Sequence, residues 1–336
     1  VDQIHSLTEL RKKRVNRRNF LAGAGALGAA AAIAGCSNDG NVAATTTTTP
    51  TTKVTDAQIL TFALNLEYLE AEFYLRCATG SGLSSTDAGT GAGSVNGGSM
   101  VVGVTTQQQQ YINEIAYEEQ THVEFLRSAL SAAGATVPPR PALDFTAGFG
   151  AIAAAANASS PGAIPSSFSP FANFDSFLIG AFSFEDVGVT AYAGAAALLN
   201  GGVQGSPYLA AAAGILAIEG YHAAEIRTLL TGRAIAAGSQ AAYPYLGYAN
   251  AVSAVRGALG GGNEQPLVFP TTSVFNSATP SNASTIVAAN STTAVGFART
   301  TDQVLHIVYG AAGGAGVAKG GFFPSGLNGS ISVTAS

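Results

Sequence analysis

The chain has 336 residues, 47% of them hydrophobic and only 10% charged, with a net charge of −5. Six of its fifteen basic residues fall within the first eighteen positions, so the remainder is acidic and has no basic stripe, which excludes a nucleic-acid-binding body. The length suffices to bury a large core, and the two cysteines, Cys36 and Cys77, form no Cys-x-x-Cys pair, which excludes a zinc ribbon or a rubredoxin-type iron site.

Residues 1–36 read as an export signal. Arg11-Lys-Lys-Arg14 and Arg17-Arg18-Asn-Phe-Leu21 precede a mild apolar run to Gly35 that is too short to span a membrane comfortably. The paired arginines look like a twin-arginine signal, and Ile33-Ala-Gly-Cys36 resembles a lipobox whose cysteine is acylated. Residues 37–54 are Thr-, Asn- and Gly-rich without apolar period, as expected of a tether.

A first helix is expected to begin after Thr55 or Asp56, either a suitable N-cap. Ile59, Phe62, Ala63, Leu66, Phe73 and Tyr74 follow a helical period, and Glu67 sits in the middle of that apolar stripe. Residues 79–105 are Gly-, Ser- and Thr-rich, long for a link between helices, and read as an inserted lid or contact surface. A second helix is predicted over 106–133, ended by Gly134 and Pro138-Pro139, and a long connection over 134–172 suits a crossover between parallel helices. The third and fourth are predicted over 173–199 and 207–233, joined by a short turn. The pattern then weakens, except for an amphipathic segment over 292–309 that would pack on the outside of the bundle.

Two of these helices repeat each other. Ile115-Ala-Tyr-Glu-Glu119-Gln-Thr-His122 and Ile215-Leu-Ala-Ile-Glu219-Gly-Tyr-His222 each carry Glu-x-x-His, at a constant offset of 100 residues. Residues three apart share a helix face, so each Glu and its His can reach one metal ion. The first and third helices supply Glu67 and Glu185, each followed seven residues later by a tyrosine, Tyr74 and Tyr192. Each phenol is expected to lean back toward its own Glu and to take part in the chemistry. Four carboxylates and two imidazoles suit two divalent iron or manganese ions, with Glu67, Glu119, His122, Glu185, Glu219 and His222 as ligands. An unpaired buried carboxylate is costly, which argues against packing as the explanation for four of them. Glu72, Glu118 and Glu124 lie off the inner stripe and are expected in solvent, and Glu70 and Glu225, though nearly in phase, are read as structural. Arg127 and Arg227 are expected to pair with carboxylates outside the ligand set, His306 to be a satisfied histidine, and Cys77 to fill core.

At these residues the chain resembles the ferritin-like superfamily, in particular the exported ferritin-like domain proteins that include the desiccation-related proteins. The similar stretches are Phe62-Ala-Leu-Asn-Leu-Glu67-Tyr-Leu-Glu-Ala-Glu-Phe-Tyr74, Phe297 to Tyr309 and Gly320-Gly-Phe-Phe-Pro-Ser-Gly-Leu-Asn-Gly329. The resemblance implies an all-α, ferritin-like four-helix bundle over 55–235, with a long crossover between helices 2 and 3. A C-terminal extension over 236–336 would pack on it and carry an extra helix. The long first loop, the tail and the lipid anchor argue against a closed iron-storage cage.

Three functions remain open at this point. One is an exported di-metal protein, periplasmic or at the cell surface, that handles peroxide or dioxygen in envelope stress or desiccation. The second is a non-catalytic protectant whose Glu/His cluster is a structural metal site or polar core, and the third is metal binding or storage. The expected partners are a small-molecule oxidant and, through the lipid anchor alone, a membrane; a homo-oligomer is compatible with the sequence.

Overall fold

Helix capping sets the start of the bundle. Thr55 accepts from the Gln58 N–H while the Gln58 side chain accepts from the Thr55 N–H at 2.8 Å, a reciprocal capping box that starts helix α1, Asp56–Thr79. Gly80, at φ +80°, ends it in the left-handed conformation that glycine adopts without steric cost. In the computed structural model, residues 54–199, 206–239, 241–267, 286–290 and 292–336 are described. The predicted signal, Cys36 and the tether lie outside them. The elements after α1 are α2 (Ser85–Ala88), β1 (Val95–Asn96), α3 (Thr106–Ala132) and β2 (Leu143–Asp144). There follow α4 (Phe145–Ser159), α5 (Phe174–Ala196), α6 (Leu209–Ala237), α7 (Tyr245–Leu259) and α8 (Thr301–Tyr309). No described helix is long and apolar enough to cross a membrane.

Helices α1, α3, α5 and α6 form the bundle. Side-chain contacts fix their directions: Gln109 reaches Ala78 while His122 reaches Glu67, and Arg233 reaches Asp175 while Arg227 reaches Asp186. Helices α1 and α3 are therefore antiparallel, and so are α5 and α6. Tyr74 meets Glu185 and Tyr192 meets Glu67, so α1 and α5 are also antiparallel and α3 runs parallel to α5. The long crossover satisfies that geometry.

The four helices are not equally buried. On α3 and α6 the buried residues form one stripe, and the opposite faces expose Tyr117 and Tyr221. By contrast, α1 and α5 are buried nearly all round. Their second side is covered by α4, α7 and α8 and by the glycine-rich C-terminal strap. A cluster of Phe73, Phe145, Phe149, Phe184 and Phe322 seals this layer, with Phe149 and Phe322 edge to face at 5.1 Å. The strap docks through a reciprocal amide pair: Asn328 N–H donates to Asn65 Oδ1 at 2.9 Å, and Asn65 Nδ2 donates to Asn328 O at 3.1 Å.

Several sequence expectations change here. Helices α4 and α7 were not anticipated. Residues 145–159 are mostly Ala and Gly, with too few large side chains to mark a period, although Asp144 caps the first turn by accepting from Ala147 N–H at 2.7 Å. In α7, Tyr, Gly, Asn and Ser disguise a buried stripe of Leu246, Ala249, Val252 and Arg256. The last helix begins at Thr301 rather than Thr292, because Thr300 and Gln303 form its capping box. The insertion over 79–105 is tied down rather than free: β1 pairs in parallel with β2, and Gly93 N–H donates to Arg140 O at 2.8 Å. Glu72, expected in solvent, is fully buried and holds that junction together, accepting from Arg76 at 2.9 Å, from Arg140 and from Leu83 N–H at 3.3 Å.

Candidate metal centre

Each bundle helix turns one or two polar side chains into the shared core. Glu67 and Glu70 come from α1, Glu119 and His122 from α3, Glu185 from α5, and Glu219 and His222 from α6. All seven are buried. His122 Nδ1 lies 3.2 Å from Glu67, 3.7 Å from Glu119 Oε2 and 3.8 Å from Glu219. His222 Nδ1 lies 3.0 Å from Glu119 Oε1 and 3.4 Å from Glu185. One Glu119 oxygen thus faces each imidazole.

The donor atoms fall into two groups able to hold a metal ion, each with its atoms within 4.8 Å of one another: Glu67, Glu119, His122 and Glu219, and Glu119, Glu185 and His222. All six sequence-predicted ligands are among them, and Glu119 belongs to both. The fit to metal rests on unfinished bonding. Both oxygens of Glu119, both of Glu219, Glu185 Oε2 and His222 Nδ1 are buried without a hydrogen-bond partner. Such atoms are rare in folded proteins and costly when nothing binds them. Gly188 on α5 leaves room beside them. A Cβ placed there would overlap Glu219 Oε2 and come within 3.3 Å of Glu70 Oε1.

Electrostatics says the same. Burial would raise Glu119, but the His122 and His222 imidazoles beside it outweigh burial and hold the carboxyl at about 2. Burial would lower His122, but the Glu67 charge and bonds to Glu119 and Glu67 push it up to about 11. Glu67 is raised to about 7 by burial, with His122 opposing. Glu70 and Glu219 are pushed well above the carboxylate range by burial and by the surrounding carboxylates. Crowding so many carboxylates in a buried site disfavours their charged forms, and a bound divalent cation would relieve that cost.

The tyrosines correct an expectation. Tyr74 donates to Glu185 and Tyr192 to Glu67, so each phenol serves the glutamate of the other helix. Two turns of helix is about 11 Å, beyond a phenol's reach along its own axis, whereas antiparallel α1 and α5 bring the pairs level. Burial first, then the adjacent carboxylate, raises both phenols well above their usual range, so they stay protonated donors.

Sequence reasoning misplaced other groups. Glu118, expected in solvent, is only one-third exposed and lies 2.6 Å from His222 Nε2. Glu70 lines the site instead of serving the scaffold alone, and its position three residues after Glu67 was the available signal. Glu225 is half-buried beside Glu114 and Glu118, which raise its carboxyl after burial does. Arg227 does pair with a carboxylate, Asp186, at 2.8 Å, but Arg127 donates to the Tyr68 phenol instead. His306 is satisfied by the carbonyls of Ala311 and Ser336, each at 2.9 Å, and Cys77 is buried in the core. Glu124 is exposed.

The profile of the ferritin-like domain family matches residues 55–232, which include all four bundle helices. The chain belongs to the ferritin-like domain family. It is 30% identical over 211 residues to the desiccation-related protein PCC13-62 of Craterostigma plantagineum, across 61% of this chain and 63% of that protein, just under two thirds of its length. It is 26% identical over 280 residues to the ferritin-like catalase Nec2 of Nesocodon mauritianus, across 82% of this chain and 84% of that one.

Proposed function

We propose that this ferritin-like protein holds two iron or manganese ions and disproportionates hydrogen peroxide, two molecules giving two waters and one dioxygen without an outside electron donor. The observation that carries this reading is the pair of Glu/His groups sharing Glu119, in which both oxygens of Glu119 and Glu219 and one of Glu185 are buried and unbonded. Glu67, Glu119, His122 and Glu219 would hold one ion, and Glu119, Glu185 and His222 the other. A metal pair, when bound, supplies the two-electron redox change that cleavage of a peroxide bond requires. Similarity to a protein named as a ferritin-like catalase favours peroxide over dioxygen.

The chain's own residues supply the rest. Tyr74 and Tyr192 orient Glu185 and Glu67 and remain donors throughout. Next to Glu70, a cavity of about 30 Å³ is lined by Leu66, Leu69, Phe184, Val187 and Ser183. That is room for a peroxide-sized molecule. Glu70 sits between this cavity and the ligand cluster, and its carboxyl can hold a proton there. The apolar walls keep bulk water from the centre.

The test is oxygen evolution from peroxide by metal-loaded protein. Turnover that disappears in His222→Ala, with helicity retained, supports the reading; turnover equal to wild type in that variant removes it. The relative named as desiccation-related favours a second reading, in which the metals brace a non-catalytic protectant. In that case metal removal would lower Tm and neither form would consume peroxide. The twin-arginine-like and lipobox-like motifs over 11–36 support export to the periplasm or cell surface, with Cys36 as the acylated anchor. Cys36→Ala would then move it from the membrane to the soluble fraction; an unchanged distribution would contradict the anchor.

A further inference from the structure

The 100-residue repeat that builds the two halves of the centre breaks one residue before each glutamate: Glu118 stands on α3 where Ile218 stands on α6. The break has a structural counterpart. Both imidazoles turn Nδ1 toward the carboxylates, which leaves Nε2 facing outward. His222 Nε2 lies 2.6 Å from Glu118 Oε2. His122 Nε2 has no hydrogen bond to any described residue, and the position equivalent to Glu118 carries an aliphatic side chain that could not accept one.

A neutral imidazole has one N–H, so a ring that offers Nδ1 to a metal must carry its proton on Nε2. A carboxylate accepting that proton fixes the tautomer, holds the ring plane and makes Nδ1 a stronger donor. The two halves also differ in another way. The His122 half gathers three carboxylates around one imidazole, and the His222 half gathers two. On charge alone the His222 half is the weaker. We infer that Glu118 is a positioning residue that strengthens the His222 half of the centre, offsetting its missing carboxylate, so that both ions bind with comparable affinity. This rests on the di-metal reading above.

The experiment is titration of metal-free full-length protein with Mn(II), read by calorimetry and by electron paramagnetic resonance. Wild type is expected to take up two ions and give the signal of a coupled pair. In Glu118→Leu one site weakens by about 10- to 100-fold, and at one equivalent the six-line spectrum of an isolated ion dominates. Glu118→Gln, which keeps an acceptor oxygen, recovers part of the loss, and Ile218→Glu tightens the other half. Glu118 is partly exposed, so the leucine variant leaves the core intact, and circular dichroism confirms its fold. A Glu118→Leu isotherm identical to that of wild type overturns the inference while leaving the metal centre standing. Wild-type protein that binds no Mn(II) overturns the di-metal reading itself.

Discussion

Two buried charged regions lie on either side of α5, and consecutive residues of that helix feed them: Glu185 enters the carboxylate cluster and Asp186 enters an arginine network. Successive helical residues point about 100° apart, so one helix can serve both. In the network, Asp186 accepts from Arg227 at 2.8 Å and from Arg256 at 2.9 Å. Glu264 accepts from Arg256 at 2.7 Å and from Arg299 at 2.6 Å. The remaining guanidinium donors go to the carbonyls of Phe182, Gly260, Asn263, Gln265 and Ile286 and to the Thr190 hydroxyl, which leaves Arg256 Nε as its one buried orphan. Three cations and two anions are closed by hydrogen bonds. Across the helix, five carboxylates face two imidazoles, and five of their oxygens are buried without a hydrogen bond. Buried charge in this protein does not by itself mark a site; incomplete bonding does. The closed region fastens the C-terminal segments to the bundle, and the open one has capacity left for a ligand.

The largest expected effect comes from breaking the closed side. Asp186→Ala strands Arg227 and Arg256 without their shared anion, and removing one partner of a buried pair costs about 3–5 kcal/mol. Denaturant unfolding should show that loss, while the fraction still folded binds metal in the wild-type ratio. A loss of metal without a loss of stability would put Asp186 in the centre instead.

Opening the other side further should do little until metal is present. Burial and the surrounding carboxylates push Glu219 well above the carboxylate range, so Glu219→Gln, a neutral group of the same shape, should cost little stability in the metal-free protein. The same variant should lose most of the stabilisation that added Mn(II) gives wild type. Equal stabilisation of both proteins by metal would exclude Glu219 as a ligand.

The smallest effect concerns the crossed tyrosines. Tyr74→Phe removes one hydrogen bond to a charged group, worth about 1.5–3 kcal/mol at most. In a double-mutant cycle it should couple to Glu185→Gln and not to Glu67→Gln. Coupling to Glu67 would restore the arrangement expected from the spacing within one helix.

The clustering of the six candidate ligands was legible because glutamates interrupting apolar stripes, repeated at a fixed offset, are costly to bury apart. Glu72 and Glu118 were misread for different reasons. Glu72 lies on a face of α1 that would be wet in an isolated four-helix bundle. It is dry because the insertion and crossover cover it, and neither gives a periodic signal. Glu118 lies at the rim, and only the placement of α6 opposite α3 brings His222 to it. The tyrosine pairing was hidden because spacing along one helix says nothing about its register against another. Helices α4 and α7 escaped notice because alanine and glycine fill a close-packed interface without marking a period.

The most direct test of the centre is the metal content of the purified protein, measured by mass spectrometry beside a His122→Ala/His222→Ala variant. The account predicts roughly two iron or manganese ions per chain in wild type, lost in the variant with helicity retained. Well-folded wild-type protein without stoichiometric metal, even after incubation with Mn(II) and Fe(II), would contradict it.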